Sequence, residues 1–314
     1  MVCVHESSHH LRSVQSRGSG RVAALIMAMV VATVGTLTAC STEPPERDSA
    51  LVDVNKQLIA LEDTPVGDAS PVFGEQAAAI DEEILRQCGT DSDDETPESC
   101  TTHDDVGFDG EPQIAAVRED MMSLIGESGD ADYPGAPDDD GARERAVLLT
   151  GLHAALATFS ARSSGGAAVD QELLDDGFSD SEDTADALST VTELVHQAVY
   201  LSGVVLPSSG ENRGVISTVG TRLRSIRDAV EPITGVAAEP GYSTDIDTSD
   251  PTAAAKGLLE AVHAVTVELR RAVDSVAAED REVTAMWCAV AARSEASLED
   301  MLGSDPSSVS IRGE

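Results

Sequence analysis

DPTAAAKGLLEAVHAVTVELRRAVDSVA, Asp250–Ala277, decides the fold. Asp250 is a helix-capping residue type, and Pro251 suits the first turn, where its missing N–H costs nothing. Leu258, Val262, Val265, Leu269 and Val276 then recur at helical spacing. No alternation of period two competes with that pattern. A helix of about seven turns carrying one apolar stripe has to bury the stripe against other helices.

The neighbouring segments supply them. RERAVLLTGLHAALATFSARSS, from Arg143, offers Leu148, Leu152, Ala155, Leu156 and Phe159. SEDTADALSTVTELVHQAVYLSGVVL opens on a Ser/Asp cap signal, aligns Leu188, Val191, Val195, Ala198 and Val205, and stops at Pro207. NRGVISTVGTRLRSIRDAVEPI aligns Val215, Val219, Leu223, Ile226 and Val230. AEDREVTAMWCAVAARSEASLEDML carries Val283, Met286, Trp287, Val290, Leu298 and Met301, with Gly303 and Pro306 ending it. The class is all-α: residues 141–303 form an antiparallel bundle of four to five long helices, and residues 304–314 read as a tail.

Residues 49–140 read differently. Leu51, Val54, Leu58 and Leu61 mark one short helix, Ile80, Ile84 and Cys88 a second, and Ile114, Val117, Met121 and Leu124 a third. Between Asp63 and Asp140 the only Lys or Arg are Arg86 and Arg118, against about two dozen carboxylates. Such a stretch is expected to be partly disordered or weakly packed. No internal repeat is visible.

The N-terminus gives an address. Arg12, Arg17 and Arg21 precede an uncharged run from Val22 to Ala39, which ends in small residues and Cys40. A basic start, an apolar middle and a small-residue exit make a secretory signal, with a retained spanning helix as the alternative. Leu37-Thr38-Ala39-Cys40 resembles the lipobox of bacterial lipoproteins. The resemblance implies cleavage before Cys40, a diacylglycerol (palmitate-bearing) thioether on its sulfur, and a mature chain anchored at the extracytoplasmic face of a membrane. Residues 1–39 are then the signal peptide. Residues 40–48, polar and proline-bearing, are the tether. The histidines in HESSHH leave with the signal.

Formal net charge is −37, and loss of the signal removes three arginines and one glutamate, leaving the chain about two units more negative. Nucleic acid and anionic lipid are repelled by such a body. Lysine occurs only at Lys56 and Lys256, while Ala, Asp and Arg abound. This fits a GC-rich genome, actinobacterial first and salt-adapted second. Aromatics are 3% of the chain, so the core has to be aliphatic, and long helices suit such a core.

Two Glu-x-x-His pairs, Glu193/His196 and Glu260/His263, have the spacing with which ferritin-like bundles hold two metal ions. GLHAALATFSAR also faintly resembles the first-helix segment of ferritin-like-domain proteins of unknown function from actinobacteria. That resemblance implies a carboxylate where this chain has Leu152. Helical projection sets both pairs away from the Leu/Val stripes, so they are expected in solvent, without metal. His153 projects off its stripe too and is expected at the surface.

The acidic stretches DSDDETPES and GDADYPGAPDDDG lack the Gly and Glu positions of a calcium loop and read as solvated charge runs. No Gly-x-Ser-x-Gly and no phosphate loop occurs. Cys88 and Cys100 are expected to form a disulfide in an oxidising compartment, leaving Cys288 free, with pairing of Cys288 to either left open. Arg213, Arg222, Arg224 and Arg227 give one helix a cationic face for a partner, or for the chain's own carboxylates.

The expected function is a membrane-anchored, non-enzymatic binding or interaction module of the cell envelope. It has no cofactor, a membrane contact through Cys40, and an envelope protein or ligand as partner. The alternative is a ferritin-like metal or redox protein.

Overall fold

The computed structural model describes residues 47–64, 70–90, 95–101, 107–127, 139–163, 177–242 and 246–314. Among these there is no strand. The α-helices are α1 (Ser49–Glu62), α2 (Ser70–Cys88), α3 (Glu98–Thr101), α4 (Ile114–Gly126), α5 (Asp139–Ser163), α6 (Glu182–Val205), α7 (Arg213–Thr234), α8 (Pro251–Ser275) and α9 (Arg281–Met301). The all-α class read from the periodicity is the class observed.

Helix ends follow the sequence. The Ser181 side chain accepts from Thr184 N–H at the start of α6, and Asp250 accepts from Thr252 N–H at the start of α8. Helix α7 ends on Gly235, whose φ of 64° is the left-handed geometry that glycine adopts without a Cβ clash.

Helices α6 to α9 surround one core. Leu188, Val191 and Val195 of α6 meet Val219, Leu223 and Ile226 of α7, Leu258, Val262 and Val265 of α8, and Trp287 and Val290 of α9. The helices run antiparallel. Thr192 meets Thr234 at 3.0 Å at one end of the α6–α7 pair, and a Cβ on Gly220 would meet Ser202 Oγ at 2.9 Å near the other. In the α8–α9 pair Cys288 faces Thr266, and Glu295 faces His263.

The second core crosses the boundary drawn near residue 141. Leu51, Val54 and Leu58 of α1, Phe73, Ile80 and Ile84 of α2, and Val117, Met121 and Leu124 of α4 pack with Leu149, Leu152 and Leu156 of α5. Val273 of α8 and Ala285 of α9 complete it. The described helices of the acidic region are therefore not weakly packed. The reason is α5, which is apolar on more than one side: Ala154 faces the first core while Leu152 and Leu156 face the second. The carboxylates of α1, α2 and α4 stay mostly on the outer faces, as Asp53, Glu82 and Glu119 show.

Residues 304–314 are not a free tail. Arg312 is 0% exposed and its N–H donates to Gly151 O at 3.1 Å. Gln76 Nε2 donates to Ser310 O at 2.8 Å, and Arg270 Nη1 donates to Gly313 O at 3.1 Å. Gly151 permits this approach, since a Cβ there would stand 2.6 Å from Ile311 Cγ2. The anchor is electrostatic: Arg312 reaches Glu295 at 3.2 Å and Glu299 at 2.8 Å, one helical turn apart on α9.

Candidate functional site

Cys40 and the whole signal region lie outside the described residues, as do most of both acidic stretches. Cys88 and Cys100 are placed as a disulfide pair. Cys88 closes α2, Gly89 turns the chain with φ 66°, and α3 presents Cys100. Cys288 is buried and its thiol faces Thr266 O at 3.6 Å. Burial pushes that thiol up to about 12, so it is no nucleophile at neutral pH.

The Glu-x-x-His pairs divide between surface and interior. Glu193 and Glu260 are exposed. His196 is not in solvent: it is 5% exposed, and its Nε2 lies 3.2 Å from Val236 O, beyond the end of α7. The segment after α7 folds back over α6, which projection of a single helix could not foresee. His263 is half-exposed, with Nδ1 3.1 Å from Glu295 Oε1. Each histidine thus has its own partner, one in the segment beyond α7 and one on α9. Among the described residues no three His, Cys, Asp or Glu side chains stand together as a metal cage would need.

The cationic face of α7 is only partly outward. Arg213 and Arg224 are exposed. Arg227 pairs with Asp228 at 2.6 Å and with Glu231 at 3.9 Å, an intramolecular use of charge. Arg222 turns toward α9 and donates to Arg293 O at 3.1 Å and Ser297 Oγ at 3.2 Å.

A polar cluster lies in the interior, between α4 and α5. Arg118 of α4 is 8% exposed, His153 of α5 is 1% exposed, and Arg118 Nη2 stands 3.1 Å from His153 Nε2. Guanidinium has only donors, so Nε2 is the acceptor and the ring hydrogen sits on Nδ1. His153 is thus a buried neutral histidine, contrary to the surface position expected. Burial first, and the Arg118 charge second, hold its pKa well below the usual histidine range. Burial and the charge of Arg293 push the Arg118 guanidinium down to about 10. Arg293 acts on Arg222 in the same direction, after burial. Arg222, Arg293 and Arg118 therefore form a row of like charge from the half-buried α7–α9 seam to the α4–α5 interior.

The spacing did carry a signal for this cluster. Arg118 is four residues after Ile114 and three before Met121, and His153 is four after Leu149 and three before Leu156. Arg118 stands inside the stripe of its helix, and His153 stands in a row through Leu149 that the stripe through Leu148 and Leu152 leaves out. Thr150, one turn before His153, is 0% exposed, and its hydroxyl has no hydrogen-bond partner. The same holds for Arg118 Nε and His153 Nδ1.

No family model, no curated protein and no solved structure matches this chain.

Proposed function

We propose that the protein is a lipoprotein of the extracytoplasmic face of a cell membrane, anchored by a diacylglycerol thioether on Cys40, with a helical body that serves binding rather than catalysis. The observation that carries this reading is Leu37-Thr38-Ala39-Cys40, set at the end of an uncharged run with three arginines before it. Cys88 and Cys100 at disulfide distance support the address, because such bonds persist where no cytosolic thiol pool reduces them. A body this acidic is repelled by anionic lipid, so attachment falls to the acyl chains. The binding role draws support from the occupied state of the reactive groups. The Cys288 thiol stays protonated in the core, and the His153 acceptor nitrogen is engaged by an arginine rather than by a hydroxyl or thiol.

Mass spectrometry of the membrane-extracted protein tests the anchor. The expected N-terminal peptide begins at Cys40 and carries acyl chains. Cys40→Ala is expected to remain unprocessed or to leave the membrane fraction. A Cys40→Ala chain that is cleaved and membrane-bound like wild type would overturn the reading.

A further inference from the structure

The Arg118–His153 cluster has the chemistry of a site with something missing. Arg118 is a buried cation, and among the described residues no carboxylate pairs with it. Its one hydrogen-bonded neighbour is a neutral imidazole, which accepts a hydrogen but returns no charge. A buried ion without a counter-charge is costly, and proteins pair it or neutralise it. A second arginine, Arg293, lowers it further, after burial.

The unpartnered buried groups point the same way. Arg118 Nε–H is a donor. His153 Nδ1 carries the ring hydrogen because Nε2 accepts from Arg118, so it too is a donor. The Thr150 hydroxyl, one turn away on α5, can give or accept a hydrogen. A water in this region would accept from two donors and then, among these unpartnered groups, find only the Thr150 hydroxyl to accept its own two hydrogens. An oxyanion accepts without that demand and supplies the absent charge.

We propose that Arg118 and His153 form the buried end of an anion-binding site that takes a single phosphate or carboxylate group, with the half-buried Arg222 as the cation at its outer end. This goes beyond the lipoprotein reading and stands independently of the lipid on Cys40. It gives the helical body a ligand of the same charge sign as its acidic surface: the surface repels large polyanions, while Arg118 holds inside the fold one positive charge that a single small anion neutralises. Phosphate and carboxylate share this chemistry, and the experiment separates them.

Thermal unfolding of the full chain in detergent is followed in buffers matched for ionic strength, containing sodium chloride alone, added inorganic phosphate, or added acetate. Phosphate or acetate at about 10 mM is expected to raise the wild-type midpoint by ~3 °C or more over chloride. The anion with the larger shift identifies the preferred group. Arg118→Met is expected to melt above wild type in chloride, because an unpaired buried charge is gone, and to show no specific response to either oxyanion. That comparison also removes the general stabilisation that phosphate gives any protein. Should Arg118→Met fail to fold, Arg222→Gln carries the test, with the half-effective anion concentration expected to rise at least ~threefold. No oxyanion shift beyond chloride would overturn the proposal. So would a wild-type-like response in Arg118→Met or Arg222→Gln.

Discussion

Arg145 Nη1 donates to Asp48 Oδ2 at 2.9 Å, with both side chains 1% exposed. The other oxygen of Asp48 caps α1, accepting from Ala50 N–H at 2.9 Å and Leu51 N–H at 3.2 Å. Arg145 Nη2 reaches Glu127 Oε2 at 3.0 Å. One buried ion pair therefore joins the start of α1, the end of α4 and α5. Asp48→Ala removes a cap and leaves a buried guanidinium short of a partner, so a loss of about 3–5 kcal/mol is expected in urea unfolding. Adding Arg145→Met should recover most of it, since the stranded charge goes. A double variant as unstable as the single one would mean that the cap, not the charge, carries the effect.

Most residues of the stripes that defined the helices fill the two cores, from Leu51 and Leu58 to Leu258 and Leu269, while Leu148, Val215 and Met301 are only partly buried and their neighbours Leu149 and Ile216 lie in the core. Period alone placed them, because a Leu every three or four residues has one way to leave water. The polar interior was harder to read. His153 and Arg118 stand beside stripe residues, but one helix viewed alone does not reveal that neighbours cover both its flanks. His196 shows the same limit, since the segment that covers it lies about forty residues later in sequence. The packing of 304–314 had no period at all to betray it. It depends on one arginine meeting two glutamates across the fold.

Peptide mapping under non-reducing conditions is expected to return Cys88 linked to Cys100, with Cys288 alkylated only after denaturation. The link closes a short loop, so replacing both cysteines by serine should cost about 2–3 kcal/mol at most. Recovery of Cys288 in a cross-linked peptide would contradict the buried position of its sulfur.

The two Glu-x-x-His pairs should separate by burial rather than behave as a unit. Glu193 is exposed and His263 is half-exposed, so the double change Glu193→Ala with His263→Ala should alter stability by less than about 1 kcal/mol. His196→Ala should cost about 2 kcal/mol, from the space vacated and from the Val236 carbonyl left without its partner. Stoichiometric iron or manganese in wild type, lost in the first variant, would instead favour the metal-binding alternative.

Two buried groups tilt stability with pH in opposite directions, His153 below about pH 6.5 and Cys288 above about pH 9. On the acid side the group is His153. It is packed against Arg118, with Arg293 beyond, and its folded pKa lies well below that of the unfolded chain. As pH falls below about 6.5 the unfolded state takes a proton that the native state refuses, so stability drops by up to ~1.4 kcal/mol per pH unit. On the alkaline side the group is Cys288, which faces Arg270 and Glu295 and is raised to about 12. Above about pH 9 the unfolded thiol ionises while the native one does not, and stability falls as pH rises, until above about pH 10 the lowered Arg118 guanidinium works in the opposite direction. His153→Gln keeps an acceptor for Arg118 but cannot titrate, so its urea midpoint should stay flatter than wild type from pH 6.5 down to 5. Cys288→Ala should flatten the other flank only. Glu282, raised by burial, is common to all three proteins and cancels in the comparison. Parallel acid limbs in wild type and His153→Gln, measured in phosphate-free buffer, would mean that His153 accepts its proton in the native fold, and the buried neutral assignment would fail.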